Sequence, residues 1–524
     1  MPRRPARPLT ARLAGRVPVV LAMVAVGATA QTAPEQQAVD ANAGAPGRAF
    51  TITPTFTATQ TISDNANLGT GDDKKSGSVT ELSPGIHVRS TGGRFVGFVD
   101  YELDGLVYSQ GSSKTELLNS LNAAVLTEAI ENWAYVDFKA SIAQQSMSAF
   151  GTQSFDPTLQ NGNRTEVASY SLSPYVQGRL GGLVDYSVRL THAISRSDDS
   201  AGFNTTTNAV DASLAGGTAL SLLDWSADVS RILTQYADGN GETQDTQAVL
   251  GLNYKVTPEL KLSVNGGHES DNFNGSSIRS GAIYGGGVDW HPSEISHASA
   301  SIEHRLFGNS YAISFEHRTP RTAWVVSDTR DVVTGNNQPS VGSQSAGALA
   351  SLLFASITDP VQRAQAVASY LRQQGLDPNS TINFLYLSNS VSLQQNAFLS
   401  FTWMGVRDTV TLLANRSEST LLASNASGLP DSFNQSDVIR QVGFTLVGSH
   451  KLTPQSTLDL TVQQMRTTGQ TADLATTVRS AFLNWSSQIG KHTFVTLGAR
   501  HAEQQSTTVP YYETAVIGSL RFDF

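Results

Sequence analysis

A strict period of two, held over runs longer than a soluble sheet uses, is what most limits the folds open to this chain. Thr51, Thr53, Thr55, Thr57, Thr59 and Thr61 fall on one side of an extended segment, and Phe50, Ile52, Phe56, Ala58 and Ile62 on the other. Successive side chains of a strand point to opposite faces, and β-branched Thr suits that pleated backbone. The alternation returns at Ala134–Ile142, Ala168–Arg179, Ala248–Val256, Ser310–Glu316 and Leu458–Val462. Strands of soluble sheets average ~5–6 residues, whereas a strand crossing a bilayer needs ~9–11. The runs here are mostly of the longer kind.

The connections carry the second half of the pattern. Tight ones are expected at Thr91-Gly92-Gly93-Arg94, Gly181-Gly182, Thr257-Pro258-Glu259, His291-Pro292-Ser293, Thr319-Pro320-Arg321, Gly405-Val406-Arg407, Thr453-Pro454-Gln455 and Ile489-Gly490-Lys491. Between them lie longer polar stretches such as Asp64–Gly77, Ser146–Asn163, Ser195–Thr206, Ser270–Ser277, Ala423–Ser436 and Thr467–Thr471. Short turns on one rim and long loops on the other belong to outer-membrane barrels. The expected fold is an all-β, transmembrane, antiparallel up-and-down barrel of about 22 strands, within a range of about 16–22, with both termini on the periplasmic rim. One connection, near Phe307 to Asn309, is short where a long one is expected.

Composition agrees. Charged residues are 15% and hydrophobic residues 39% of the 524. A helical membrane protein is far more apolar, while a barrel hides its apolarity by alternation. The absence of Cys excludes a disulfide framework and a thiolate metal site or nucleophile. Arg3, Arg4, Arg7, Arg12 and Arg16, the apolar run Val17–Ala28 and the small residues Ala28-Thr29-Ala30 read as a secretory signal over 1–30, cleaved near Ala30. Its loss takes five Arg and no acid, moving the formal charge from −9 to −14 and disfavouring nucleic acid as a partner. Residues 31–48 read as a periplasmic linker, too short for a globular plug domain, and 49–524 as the barrel. Trp133, Tyr135, Trp225, Tyr254, Trp290, Trp403, Trp485, Tyr511 and Tyr512 are candidates for the interfacial girdles.

The last strand places Tyr512, Val516, Leu520, Phe522 and Phe524 on one face. An alternating apolar strand ending in Phe fits the signal read by the barrel-assembly machinery, through strand addition at an edge. Residues 335–381 break the period. Ala346–Ile357 is apolar, Asp359 and Pro360 suit an N-cap and first turn, and Val361, Ala364, Val367 or Ala368, and Leu371 recur at helical spacing until Gly375. Two short helices in one extracellular loop are expected, either folded into the lumen as a constriction or seated on the rim.

Little in the chain carries chemistry. His268, His297, His304 and His317 lie on expected strands without a helical His pair, so no metal is expected. Asp238, Asn240 and Glu242 lack the full spacing of a calcium loop, and Gly281 and Gly285–Gly287 lack the helix a phosphate loop needs. No cofactor is expected. Candidates to line the lumen are Asp137, Lys139, Arg179, Asp185, Arg189, Lys255, Lys261, Glu303, Arg305, Glu316, Arg318, Asp459 and Arg500. Their mixed signs suit a hydrated pore or a filling of salt-bridge ladders, and a neutral or weakly acidic sugar chain is compatible with them.

Short motifs in order give a family likeness. They are the Thr-rich first strand with Ser63-Asp64-Asn65-Ala66-Asn67-Leu68, then Leu82-Ser83-Pro84-Gly85-Ile86, Gly93-Arg94 and Asp100-Tyr101. Ala140–Gln145, Ser173-Pro174-Tyr175, Arg305-Leu306-Phe307-Gly308, Arg318–Trp324 and the Asp359-Pro360 helix follow. On these the chain resembles outer-membrane β-barrel proteins associated with the PEP-CTERM/exosortase system, which accompany exopolysaccharide loci. The resemblance covers nearly the whole mature chain and implies passage or organisation of surface polysaccharide. No catalytic residue carries over. The leading expectation is a non-enzymatic, porin-like conduit serving exopolysaccharide export, in contact with outer-membrane lipid, lipopolysaccharide, the barrel-assembly machinery, and exopolysaccharide or its export components. A closed surface scaffold and an outer-membrane hydrolase are the alternatives; a hydrolase needs a hydroxyl, a His and a carboxylate converging near one rim.

Overall fold

A computed structural model describes residues 50–110, 115–198, 203–217, 222–236, 241–273, 277–334, 386–423 and 431–524. The expected signal segment (1–30), the expected linker (31–48), the expected helical insertion at 335–381, and Asp238 and Asn240 lie outside the described residues. The strands are β1 (Phe50–Ser63), β2 (Gly77–Gly92), β3 (Phe95–Tyr108), β4 (Thr115–Ile130), β5 (Ala134–Ser146), β6 (Arg164–Leu180), β7 (Val184–Ser197) and β8 (Thr205–Gly217). They continue as β9 (Leu223–Tyr236), β10 (Glu242–Lys255), β11 (Leu260–Asp271), β12 (Arg279–Ser293), β13 (Ser296–Arg305), β14 (Gly308–Arg318) and β15 (Thr322–Thr334). The rest are β16 (Val391–Met404), β17 (Asp408–Ala423), β18 (Val438–Thr453), β19 (Ser456–Thr468), β20 (Ala475–Gln488), β21 (Thr493–Ser506) and β22 (Tyr511–Asp523). Each pairs antiparallel with its successor, as β1 does with β2 and β21 with β22. β1 also pairs with β22, from Thr55 opposite Asp523 to Ser63 opposite Ala515. The sheet therefore closes on itself as a 22-stranded barrel, and among the described residues every strand has a partner on both sides.

Burial runs opposite to that of a water-soluble protein. The Thr row of β1 faces inward, with Thr55, Thr61 and Ser63 buried, while Phe50 (54% exposed), Ile52 and Ile62 face out. The same inversion holds around the ring: Leu250 (66% exposed), Val264, Tyr284 and Val516 point outward, and Ser, Thr, Asn and Asp dominate the buried side chains. Soluble monomers do not present so broad an apolar belt to water. The belt is the lipid-facing surface of an outer-membrane-type barrel, and polar side chains line its interior.

One connection differs from the sequence expectation, at His291 to Ser293, and the one near Phe307 is short as read from the sequence. His291, Pro292 and Ser293 belong to β12, and the turn lies at Glu294-Ile295. The register slips between Trp290 and Ser293, a bulge that accommodates Pro292, which has no N–H to donate. The Phe307 connection is a two-residue hairpin, Leu306-Phe307, and Gly308 adopts φ 114, a value that suits only Gly. Phe307 packs there against a buried cluster of Phe273, Val332 and Val391. Two girdle candidates are also reassigned. Tyr511 is buried and donates its hydroxyl to the Gln153 carbonyl at 2.6 Å, and Tyr135 stacks on Tyr175 with ring centroids 5.0 Å apart. Trp133, Tyr254, Trp290, Trp403 and Tyr512 are exposed on the outer face, and so are Val516 and Phe524 of the final strand. Leu520 and Phe522 lie on that same face at the seam, opposite Ala58 and Phe56.

Candidate functional site: the lumen and its extracellular cap

Cross-strand register fixes which side chains share the inward face of Thr55 and Thr61. On it, Asp137 lies 3.7 Å from Lys139 and 3.5 Å from Arg189, whose guanidinium covers the Tyr175 ring at 4.1 Å. Arg179 forks Asp185 at 2.6 and 3.1 Å at the periplasmic rim, where both are open to solvent. Lys255 meets Asp224 at 2.6 Å. Asn265 donates to Glu303 at 2.5 Å, a bridge passing over Gly285, where a Cβ would meet Asn265 Oδ1 at 2.8 Å. Asp459 is buried and accepts from the Thr457 hydroxyl at 3.3 Å. Lys261, Glu316 and Arg318 sit near the periplasmic mouth; Lys261 is opposite Asp289, Glu316 is opposite His297, and Arg318 donates to the Glu294 carbonyl at 3.4 Å.

The inward face is more acidic than the sequence candidates suggest. Glu81, Asp100, Glu102, Asp104 and Glu116 share it on β2, β3 and β4, followed by Asp211 and Asp228 on β8 and β9. From β16 to β20 the same face is almost wholly neutral: Gln394, Asn396, Ser400, Thr402, Thr411, Ser417, Ser480 and Asn484 occupy it. Gln394 Oε1 and Asn396 Oδ1 are buried acceptors that accept no hydrogen bond. The lumen thus has an acidic arc and a hydroxyl-and-amide arc. Alternation alone hid this, because it gives each strand two faces without saying which one continues the Thr row. The register decides that.

Two arginines hold buried carboxylates near the extracellular end. Arg305 reaches Glu269 at 2.6 Å, Asp331 at 3.2 Å and Asp245 at 3.4 Å. Arg500 donates to Glu513 through Nη2 at 2.8 Å and Nε at 3.1 Å, and through Nη1 to Asp156. Asp156 belongs to no strand. It sits in the β5–β6 loop, which folds over the mouth.

That loop first closes on itself: Ser148 N donates to Asn163 Oδ1 at 2.8 Å, and Asn163 Nδ2 returns to the Ser148 and Thr152 carbonyls. It then contacts strands far apart in the ring. Tyr108 of β3 donates to the Thr158 carbonyl at 2.9 Å, Gln153 N donates to Gln504 of β21 at 2.8 Å, and Ala149 N donates to Ser432 Oγ, ahead of β18, at 2.9 Å. Leu159 packs with Leu68, Ala502 and Tyr511, and Phe150 with Tyr386, Phe433 and Ile439. Asp431 fastens the far side, accepting from Ser388 Oγ, Asn389 N, Ser390 Oγ and Phe433 N. The mouth is roofed by loops from both sides.

No family model matches the chain, and no curated protein matches it. Among solved structures, it is similar to the FrpB iron transporter from Neisseria meningitidis (F5-1 variant) at 12% identity and a TM-score of 0.48, over 90% of this chain and 82% of that one. The ferric-catecholate import receptor Fiu from E. coli K12 in its closed form gives 7% and 0.45, over 90% and 81%. The siderophore receptor PirA from Pseudomonas aeruginosa gives 9% and 0.43, over 90% and 80%. Values this low bring neither cargo nor partner to this chain.

One row has the order of a hydrolytic triad. Thr55 Oγ1 lies 3.4 Å from His87 Nε2, and His87 Nδ1 lies 2.7 Å from Asp100 Oδ1. Arg89 also takes both Asp100 oxygens, at 2.6 and 2.8 Å, and Thr55 is buried in the wall. Acyl transfer further needs donors aimed at a developing oxyanion, and a paired barrel ladder engages its own N–H groups. The row reads as a rung binding β1, β2 and β3. Outside the membrane-spanning segments, Asp156 is electrostatically set. Burial pushes its carboxyl up, but Arg500, the Thr158 amide and the Thr158 hydroxyl outweigh burial and hold it below its ordinary value.

Proposed function

We propose that this protein is an outer-membrane conduit for hydrophilic solutes, held shut on the extracellular side by the β5–β6 loop. The observation that carries the reading is the roof of that loop over a polar-lined 22-strand barrel, since a barrel of this width otherwise encloses an aqueous lumen. The arc of amides and hydroxyls suits a hydroxyl-rich chain, and the acidic arc repels a polyanion. The cargo class we favour is therefore a neutral glycan, consistent with the exopolysaccharide role that the PEP-CTERM-associated resemblance implies. The final strand, with Tyr512, Val516 and Phe524 facing out, fits recognition by the barrel-assembly machinery during insertion.

Replacing residues 149–161 by a short Gly-Ser linker tests the reading in planar bilayers. Steady conductance is expected from the linker variant. In a tenfold KCl gradient its reversal potential should report a K⁺-over-Cl⁻ preference of roughly threefold or more, set by the acidic arc. A linker variant that inserts but never conducts would overturn the conduit and favour the scaffold, which the same roof also suits. A deletion strain should retain less surface-exported neutral polysaccharide, measured against total glycan in the periplasm.

A further inference from the structure

The bulge that moves the β12–β13 turn to Glu294-Ile295 also brings together three groups that sequence spacing keeps apart. Asp289 and His291 stand at the end of β12 and His297 at the start of β13, on the inward face of the periplasmic mouth. Their ligand atoms all lie within 4.8 Å of one another. His291 Nδ1 is 3.0 Å from Asp289 Oδ1, and His297 Nε2 is 3.1 Å from Asp289 Oδ2. The two imidazoles stack at 4.0 Å with planes 13° apart.

We propose that Asp289, His291 and His297 bind a divalent late first-row transition metal, of the Zn²⁺, Ni²⁺ and Cu²⁺ class. Two imidazoles and a carboxylate are the donor set these ions take, and hard ions such as Mg²⁺ and Ca²⁺ prefer all-oxygen sites. An independent observation points the same way. Asp289 is only 7% exposed, yet its Oδ1 accepts no hydrogen bond, although His291 Nδ1 stands 3.0 Å away. The nitrogen and the oxygen approach each other, but their geometry is not that of a hydrogen bond. A cation held by both supplies what the orphaned oxygen lacks.

The neighbours complete the site. Glu316 is paired with His297 across β13 and β14 on the same inward face, outside the three-residue cluster, and is the neighbouring carboxylate that a side-chain rotation would bring in as a fourth ligand. Lys261 faces Asp289 from β11; its charge opposes a cation and is offset by the two carboxylates. The partly exposed imidazoles, 46% and 35%, leave an entry path from the periplasmic mouth. Bound metal would pin the bulged hairpin at that mouth. The site is independent of whether the barrel conducts.

Titration of the refolded, detergent-solubilised full-length barrel with Cu²⁺, read by electron paramagnetic resonance, tests the proposal. One equivalent should bind with superhyperfine splitting from two nitrogens, and Zn²⁺ should displace it. His297→Gln should remove one nitrogen from the spectrum and weaken binding at least tenfold, Asp289→Asn should weaken it comparably, and Glu316→Gln should weaken it less. Should the pattern of splitting survive both His291→Gln and His297→Gln, the metal sits elsewhere and the proposal fails. Zn²⁺ should also raise the unfolding temperature of the native barrel but not of His297→Gln, and an equal rise in both would count against the site in the same way.

Discussion

Substituting Arg500→Gln is expected to raise the open probability of the reconstituted barrel by roughly a hundredfold or more. Arg500 stands between a wall residue, Glu513, and a loop residue, Asp156, and all three are buried. Removing a cation from such a set leaves its carboxylates desolvated and unpaired, which costs about 3–5 kcal/mol. The two acids escape that cost differently. Glu513 is fixed on β22 and keeps the Ser63 hydroxyl at 2.9 Å. Asp156 is on a loop and reaches water by swinging outward, so the relief of strain is itself the opening. Asp156→Asn keeps the shape and the Thr158 contacts, so its effect should be smaller. Combined with Arg500→Gln it should add little, because the two changes break one interaction. Single-channel recording decides the matter, and an Arg500→Gln barrel as quiet as the native one would refute the latch. The pH dependence has a fixed sign. The folded carboxyl of Asp156 lies below its ordinary 3.8, so the latch is at full strength above that value and weakens as pH falls through the lower, folded value. Recordings at pH 7 and pH 5 should therefore agree, with native opening only in stronger acid.

The parts of this molecule that were legible in the sequence are those written locally. The Thr row of β1 declares its own face, Gly181-Gly182 and Gly92-Gly93 declare tight turns, and the apolar row ending at Phe524 declares the last strand. A barrel is built from nearest-neighbour hairpins, so local signals sum to the global fold. What stayed hidden depends on register or on distance along the chain. Asp156 and Arg500 are joined only because a loop crosses the mouth, and nothing near either residue marks it. Glu269 and Asp331 were missed because the inward face of β11 and β15 is set by pairing with β12 and β14. The sequence around His291 reads as a turn because Pro292 is a turn signal more often than a bulge signal. That displacement of the turn to Glu294-Ile295 conceals its meeting with Asp289 and His297. One anomaly did point ahead: the short Phe307 connection is where Arg305 turns inward and Phe307 covers its guanidinium at 4.8 Å.

Arg305→Met is the substitution that should cost most in stability. Arg305 is buried, Glu269 is 0% exposed, and Asp245 and Asp331 complete the set, so one cation answers three carboxylates. The remaining donors are too few to replace it. Gln247 Nε2 gives one bond to Asp245 at 2.7 Å, Val332 N one to Asp331 at 2.7 Å, and Leu306 N one to Glu269 at 3.2 Å. Breaking a buried pair by deleting one partner costs about 3–5 kcal/mol, and here the deletion strands three acids on three strands, β10, β11 and β15. Arg305→Lys should recover only part of the loss, since an ammonium cannot fork to Glu269 while reaching Asp331 with a second planar nitrogen. Neutralising the partners tests the cause. Adding Glu269→Gln, Asp245→Asn and Asp331→Asn to Arg305→Met should restore most of the stability, because the cost lies in uncompensated charge rather than in lost packing. Urea unfolding in detergent micelles measures all four proteins. Two results would contradict the account: an Arg305→Met barrel within about 0.5 kcal/mol of native, the range of an ordinary surface change, or a neutralised set no more stable than Arg305→Met alone. On the proposed conduit reading, this network matters for a reason beyond stability. It holds the wall at the extracellular end, so that the loop gated by Arg500 has a fixed rim to close against.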